Sequence, residues 1–323
     1  MRALECQTLG PPESLVLVDK PDPEPGPGEI RVRVAAAGLN FFDTLIVQGR
    51  YQVKPALPFS PGGEFVGVVE AVGEGVTAPR PGARVIAFPG YGACAEKVVL
   101  AARLAVEIPD TIPDEQAAGL LVTYGTTLHG LKDRANLQPG ETLAVLGASG
   151  GVGLAAVELG KIMGAHVVAC ASSPDKLALC REHGADTLID YSKDDLKTAL
   201  KGVSDTGIDV VYDPVGGDMT EAALRALAWK GRLLVIGFAS GTIPKLPLNL
   251  TLVKGCTVLG VFWGRFMEEE PAAFAENTRQ LVDWCAEGRL KPFIDRVLPL
   301  DEAIDGLKRL EARQARGKIV VSL

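Results

Sequence analysis

The chain has only three histidines among 323 residues, and none of its six cysteines belongs to a C-x-x-C pair. Cys6, Cys94, Cys170, Cys180, Cys256 and Cys285 are scattered, which argues against a disulfide framework or a structural zinc knot and reads as buried free thiols. His129, His166 and His183 all follow the β-rich first part, and none has a metal-ligand neighbour at a recognisable spacing. Each reads as structural, so a catalytic zinc is not expected. The opening "MRALECQTLGPPESL" lacks the apolar core of a signal peptide, and no apolar run reaches membrane-spanning length. A cytoplasmic protein without membrane partners is the expectation. There is no positive excess either: the formal net charge is -7, which argues against nucleic acid as the main partner. No internal repeat or low-complexity tract stands out.

What is present is an ordinary globular composition, 47% hydrophobic and 23% charged, on a chain long enough for two domains. From Glu29 to Val99, short β-type runs are broken by Gly and Pro. In "EIRVRVAAAG", Ile30, Val32 and Val34 alternate with Arg31 and Arg33, the period of a half-buried strand. "EFVGVVEAVGEGV", "ARVIAF" and "CAEKVVL" continue the style and predict a mostly antiparallel β domain. The pattern then changes. Asp114 is read as the cap of a helix carrying Ala117, Ala118, Leu120, Leu121 and Tyr124. From Thr142 the runs "TLAVLGA", "HVVACAS", "DTLIDY", "DVVYDPV" and "RLLVIGFA" alternate with helical stretches, which predicts βαβ units and a doubly wound parallel sheet.

Between the first strand and helix of that sheet stands Ala148-Ser149-Gly150-Gly151-Val152-Gly153. This is the spacing of a dinucleotide fingerprint, with Ala148 at the first glycine position. Small residues admit a pyrophosphate to the backbone, and the helix N-terminus favours its charge. The spacing alone is a weak signal, but the strand before it, the helix after it and the further βα alternations make dinucleotide binding the reading. At the end of the second strand an NAD-selective chain usually places Asp or Glu. Here stand Ser172 and Ser173, with Lys176 soon after and Tyr191 past the next strand. Hydroxyls and a cation suit a 2'-phosphate, so NADPH is expected over NADH. The alternative readings are helix caps for the serines, a solvated lysine, and a core tyrosine.

These features resemble the zinc-free quinone oxidoreductase branch of the medium-chain dehydrogenase/reductase superfamily over essentially the whole chain. "VAAAGLNFFD" is similar to the family segment in which Asn40 and Asp43 follow a glycine, and zinc-dependent relatives carry cysteine where Asn40 stands. "LPFSPGGEFVGVV" resembles the family's P-x-x-P-G-x-E-x-x-G, with Gly63 where zinc relatives have histidine. The resemblance implies an α/β fold in which a GroES-like β domain accompanies a Rossmann domain, with residues 1–118 the GroES-like part, 119–258 the Rossmann domain and 259–323 a return that completes the first. It further implies that Thr123 and Thr127 of "VTYGTTLHGL", Val215 of "DPVGG", Phe238 and Ala239 of "GFASG", Phe262 and Trp263 of "VFWG", and Lys318 meet the cofactor, as does Asn40. Where several quinone reductases have a tyrosine shortly after the asparagine, this chain has Leu45.

By the same resemblance the protein transfers hydride from NADPH to a quinone, with the acceptor oxyanion hydrogen-bonded by Asn40. An asparagine closing a turn after Gly38 is the competing reading. Tyr51 either lines the acceptor pocket or supplies a proton, with an amphipathic loop residue as the competing reading. Glu64 reads as a carboxylate that ties loops together. A second hypothesis is reduction of α,β-unsaturated aldehydes, ketones or enoyl thioesters; an acyl-CoA substrate would require Arg50, Lys54 and Arg265 to converge. A third is a low-turnover NADPH-binding sensor. The family implies a homodimer, joined through the edge strand "CTVLGVF".

Overall fold

In the run Glu29–Leu39 the alternating residues Ile30, Val32 and Val34 are buried while Arg31 and Arg33 face outward, as a strand with one covered face requires. The computed structural model describes all 323 residues, Met1–Leu323. Its strands are, in chain order, β1 (Arg2–Glu5), β2 (Val16–Asp19), β3 (Glu29–Leu39), β4 (Glu64–Val72), β5 (Arg84–Ala87), β6 (Lys97–Ala101), β7 (Ala105–Glu107), β8 (Thr142–Leu146), β9 (His166–Ala171), β10 (Thr187–Asp190), β11 (Ile208–Asp213), β12 (Leu227–Val235), β13 (Thr257–Gly260), β14 (Ile294–Pro299) and β15 (Lys318–Ser322). The chain forms two compact units, Met1–Val122 with Val282–Leu323, and Thr123–Leu281.

The first unit is built on a seven-stranded sheet of order β14-β15-β3-β4-β5-β7, with β6 also paired to β3. Most of its pairs are antiparallel. The final strand β15 lies against the second half of β3, with Ile319 opposite Leu39, which brings Lys318 beside Asn40. Two apolar clusters fill the unit, one around Leu39, Ile46, Phe59 and Ile319, the other around Val32, Phe65 and Val85.

The second unit is a six-stranded sheet of order β10-β9-β8-β11-β12-β13, and every pair in it is parallel. Its central strands read as unbroken apolar runs because both faces are covered. β8, for instance, is buried from Leu143 to Leu146. The order reverses between β8 and β11, the place where an open parallel sheet binds ligands at its strand C-termini.

Two sequence expectations are corrected. Asp114 does not cap its helix: Pro113 holds the N-cap position, and Asp114 sits in the first turn, where its carboxylate pairs with Arg84. The chain also returns to the first unit at Leu281/Val282 instead of after residue 258. The intervening residues are held by the second unit. β13 is its sixth strand, Trp263 lies against Gly125, and Asn277 donates to Asp133 at 2.7 Å while accepting from Lys132 at 2.9 Å.

Candidate functional site

In the second unit the glycine loop follows from β8. Gly147 has φ +58°, a conformation that any side chain would strain, and turns the chain out of the strand. Ala148 and Ser149 are buried, and Gly150 is the N-cap of the helix Gly151–Ile162. The two later glycines serve different ends. A Cβ on Gly153 would lie 2.3 Å from the Gly147 carbonyl oxygen, so glycine there lets helix and strand pack. A Cβ on Gly150 would meet only that same oxygen, at 3.4 Å. Protein packing does not demand glycine at 150, whereas close approach of a phosphate does. Gly150, Gly151 and Val152 are partly accessible, and the first-turn N–H groups of the helix lack intrahelical partners.

Next to this loop, β9 and β10 end side by side, and the Tyr191 N–H donates to the Ala171 carbonyl at 3.1 Å. That bond sets the Tyr191 backbone beside the end of β9, one residue before Ser172. The Lys176 ammonium donates to the Ser172 hydroxyl at 3.2 Å. Ser173 does cap the following helix, accepting from the Lys176 N–H at 3.4 Å, which separates the roles of the two serines. Tyr191 also packs partly against the sheet's core. One carboxylate stands nearby: Asp190 accepts from the Ser192 hydroxyl and N–H, which hold its carboxyl below the usual range, and its other oxygen is 3.4 Å from the Lys193 ammonium.

The loops after β11 and β12 are organised by a residue the sequence reading passed over. Asp213, 2% exposed, accepts from the N–H groups of Val215 and Gly216 and from the Thr220 hydroxyl. The loop carrying Phe238 and Ala239 folds onto it, since Ala239 donates to the Pro214 carbonyl and Ser240 to that of Val215. An aspartate before Pro-Val-Gly-Gly at a strand end is the signal that would have found it. Phe262 is 55% exposed, whereas Trp263 is buried under Gly125. Thr127 departs from expectation. It is fully buried, and its hydroxyl is engaged with the Thr123 carbonyl at 2.7 Å and the Tyr212 hydroxyl at 2.8 Å, so it stiffens the interior. The histidines have structural contacts: His129 with Asp133 and a stacked Phe266, His183 with Glu158, and His166 with Thr187. Glu158 also accepts from the Tyr124 hydroxyl.

In the first unit the expected residues Asn40, Tyr51 and Lys318 cluster around Glu64 and Asp43. Glu64, 1% exposed by side chain, accepts from the Val122 N–H at 2.9 Å, from Asn40 Nδ2 at 3.0 Å and from Lys318 Nζ at 2.5 Å. It ties the start of the helix Phe41–Val47, the stretch at Val122 and the final strand together, instead of the loops expected from the sequence. Asn40 departs from its expected role as donor to an acceptor. Its amide N–H groups point to the Gly38 carbonyl and Glu64, and its Oδ1 accepts from Lys318 at 2.6 Å. The competing reading of Asn40 as a turn residue fits these bonds. Lys318 departs likewise, because its ammonium is held inside this cluster. Five of the six cysteines are buried, and burial pushes the Cys94 thiol well up.

Asp43 is wholly buried and accepts from the Asn40 N–H at 2.7 Å and the Gly62 N–H at 3.2 Å. Burial pushes its carboxyl up to about 7, against the pull of these bonds and of Lys318. A carboxyl raised by folding contributes stability that is present below its unfolded value and lost as pH rises through its folded value. The melting temperature is therefore expected to fall as pH rises from 5 to 8, and the slope to flatten in Asp43→Asn; thermal melts across that range giving equal slopes would contradict this assignment. Tyr51 stacks on Phe42 at 5.5 Å, and burial together with the Asp43 carboxylate raises its phenol above the ordinary value.

Comparison with known proteins adds to this geometry. Residues 26–110 match the family "Alcohol dehydrogenase GroES-like domain", and residues 151–284 match "Zinc-binding dehydrogenase". The chain is 40% identical to quinone oxidoreductase-like protein 2 of Bos taurus over 288 residues, which is 88% of this chain and 82% of that protein. It superposes on the Escherichia coli quinone oxidoreductase complexed with NADPH with a TM-score of 0.92 at 29% identity, over all of both chains. For the Thermus thermophilus quinone oxidoreductase, whose structures include an NADPH complex, the TM-score is 0.86 at 35% identity, again over the whole of both chains.

Proposed function

Because the chain belongs to the medium-chain dehydrogenase/reductase superfamily, we propose that it is an NADPH-dependent, zinc-independent oxidoreductase that reduces a quinone. The observation that carries the cofactor part is the pairing of an open glycine-loop helix with the Ser172–Lys176–Tyr191 group at the ends of β9 and β10. Gly150 to Gly153 would hold the pyrophosphate, and Ser172, Lys176 and Tyr191 the 2'-phosphate. Val215, Phe238, Ala239 and Phe262 would border the nicotinamide from loops that Asp213 and the helix Trp263–Glu269 keep in place. NADPH bound there supplies the hydride, and with one proton from the medium or a side chain the quinone becomes its hydroquinone while NADP+ is formed.

The proton chemistry falls to the first unit. Asn40 is engaged, whereas Tyr51, raised above an ordinary phenol, keeps its proton at neutral pH and offers an O–H to the oxyanion. Independence of zinc is supported by Asn40 and Gly63, which stand where zinc-dependent relatives carry cysteine and histidine. An acyl-CoA substrate is less supported, since Arg265 is paired with Glu269 and Arg50 with Gln48. The protein would be a homodimer joined at β13. That open sheet edge lies in a stretch where Trp229, Leu248, Leu252 and Val253 are each 70% or more exposed. A monomer by sedimentation at micromolar concentration would rule the dimer out.

Steady-state kinetics of Lys176→Ala test the reading. The NADPH:NADH ratio of kcat/KM is expected to fall roughly tenfold, the worth of one charge-assisted bond at a half-buried site. An unchanged ratio would contradict the phosphate site.

A further inference from the structure

The helix Gly151–Ile162, which follows the glycine loop, carries a charge where its packing on the sheet needs none. From Gly153 to Gly160 every residue is buried, and Glu158 is the only one of them with a polar side chain. Small residues bring the helix close. A Cβ on Gly160 would stand 2.7 Å from Leu143 Cδ2 in β8 and 3.0 Å from Val167 Cγ2 in β9, as one on Gly153 would meet the Gly147 carbonyl. Apolar contact of this kind sets how near the helix lies to the sheet, but it has no direction and does not fix where the helix stands along its axis. Glu158 adds direction. Its Oε2 accepts from the Tyr124 hydroxyl at 2.5 Å, and its Oε1 meets His183 Nδ1 at 2.6 Å. Because a carboxylate only accepts, Nδ1 carries the proton of that bond. Tyr124 lies buried in the segment Leu121–Gly125, and His183 is the C-cap of the helix Pro174–Glu182. One carboxyl thus bolts the glycine-loop helix to two other elements of the same unit. A second tie, Lys161 Nζ to Asp186 Oδ1 at 2.8 Å, is solvent-exposed and holds the far end of the helix weakly.

We propose that Glu158 is a positioning residue for dinucleotide binding: through its bonds to Tyr124 and His183 it sets the axial register of the glycine-loop helix, and with it the place of the N–H groups that meet the pyrophosphate. The proposal rests on the cofactor reading above. Glu158 stands about two turns along the helix, about 10 Å from Gly151, so it acts through the helix and not on the cofactor. A helix slides along its axis as a rod, and a slip at Glu158 reaches the first turn undiminished. Hydrogen bonds from backbone N–H groups to a phosphate weaken steeply away from about 2.9 Å and a straight line, so a slip of a fraction of an ångström is felt. NADPH and NADH share the pyrophosphate. Lys176, by contrast, stands at the opposite end of its helix from His183, beside the Ser173 cap that holds it. Loss of the bolt therefore weakens both dinucleotides alike. What the bolt requires is two bonds, not a charge. A glutamine at 158 accepts from His183 through its carbonyl and donates from its amide to the Tyr124 oxygen, since a hydroxyl accepts as readily as it donates.

The test measures NADPH and NADH dissociation constants by fluorescence titration, alongside thermal melts, for wild type, Glu158→Leu, Glu158→Gln and Tyr124→Phe. Glu158→Leu removes both bonds and is expected to raise both dissociation constants about tenfold, with their ratio unchanged. Glu158→Gln is expected to stay within about twofold of wild type for both dinucleotides, and Tyr124→Phe, which loses one bond and adds no atom to the core, to raise both constants about threefold. Wild-type affinities in a folded Glu158→Leu, whatever its melting temperature, would overturn the positioning role and leave the cofactor reading standing. Unchanged affinities in Tyr124→Phe would do the same if Glu158→Leu does not fold. Glu158→Gln binding as weakly as Glu158→Leu, or a loss confined to NADPH, would also overturn it. A wild type that binds neither dinucleotide would overturn the cofactor reading, and this proposal with it.

Discussion

Lys318→Met is expected to lower the melting temperature by roughly 6–20 °C, the consequence of breaking a buried ion pair from one side. The Lys318 ammonium, on a side chain 4% exposed, is 2.5 Å from Glu64 Oε1 and 2.6 Å from Asn40 Oδ1. Without it the Glu64 carboxylate stays buried with no cation. Such an uncompensated charge costs about 3–5 kcal/mol, far more than a surface pair. Removing both partners is different. Glu64→Leu with Lys318→Met takes away the charge as well as its partner, so the double variant should melt above Lys318→Met alone, losing chiefly the bonds to Val122 and Asn40. Calorimetric melts of wild type, both single variants and the double variant decide this. Additive losses would show that the pair is not coupled.

Gly153→Val is expected to weaken NADPH binding about a hundredfold, the scale of an ångström-sized misplacement. The new Cβ would lie 2.3 Å from the Gly147 carbonyl and 2.9 Å from Ala148 Cα, both backbone atoms that cannot rotate away. The helix must then move off the strand, and its N-terminus with it, at a stability cost of about 1–3 kcal/mol. Gly150→Ala separates packing from binding. Its Cβ meets only the Gly147 oxygen at 3.4 Å, so the fold should be nearly unaffected while the phosphate loses its close approach. Fluorescence titration with NADPH alongside thermal melts reads both. A Gly153→Val protein that binds NADPH as tightly as wild type would contradict the placement of the pyrophosphate.

What the sequence reveals here is what local period and spacing can encode. The alternation in β3, the apolar runs of the parallel sheet and the glycine loop all act over a few residues, and each was legible. The residues between 259 and 281 were misplaced because their allegiance depends on contacts distant in sequence, such as Trp263 against Gly125 and Asn277 with Asp133. Asn40, Thr127 and Lys318 illustrate the same limit at the site. Their positions match family motifs, yet which neighbour receives each N–H or O–H depends on β15 lying against β3 and on Tyr212 reaching Thr127. Asp213 escaped notice because two of its three partners are backbone N–H groups, so that only its place before Pro-Val-Gly-Gly marks it in the sequence.

The most direct test of the account is NADPH oxidation by 1,4-naphthoquinone, catalysed by protein first dialysed against a chelator, with NADH run in parallel. Undiminished turnover, with NADPH preferred over NADH by roughly tenfold or more, is the predicted result. Turnover that vanishes on chelation and returns with added zinc, or a preference for NADH, would contradict it.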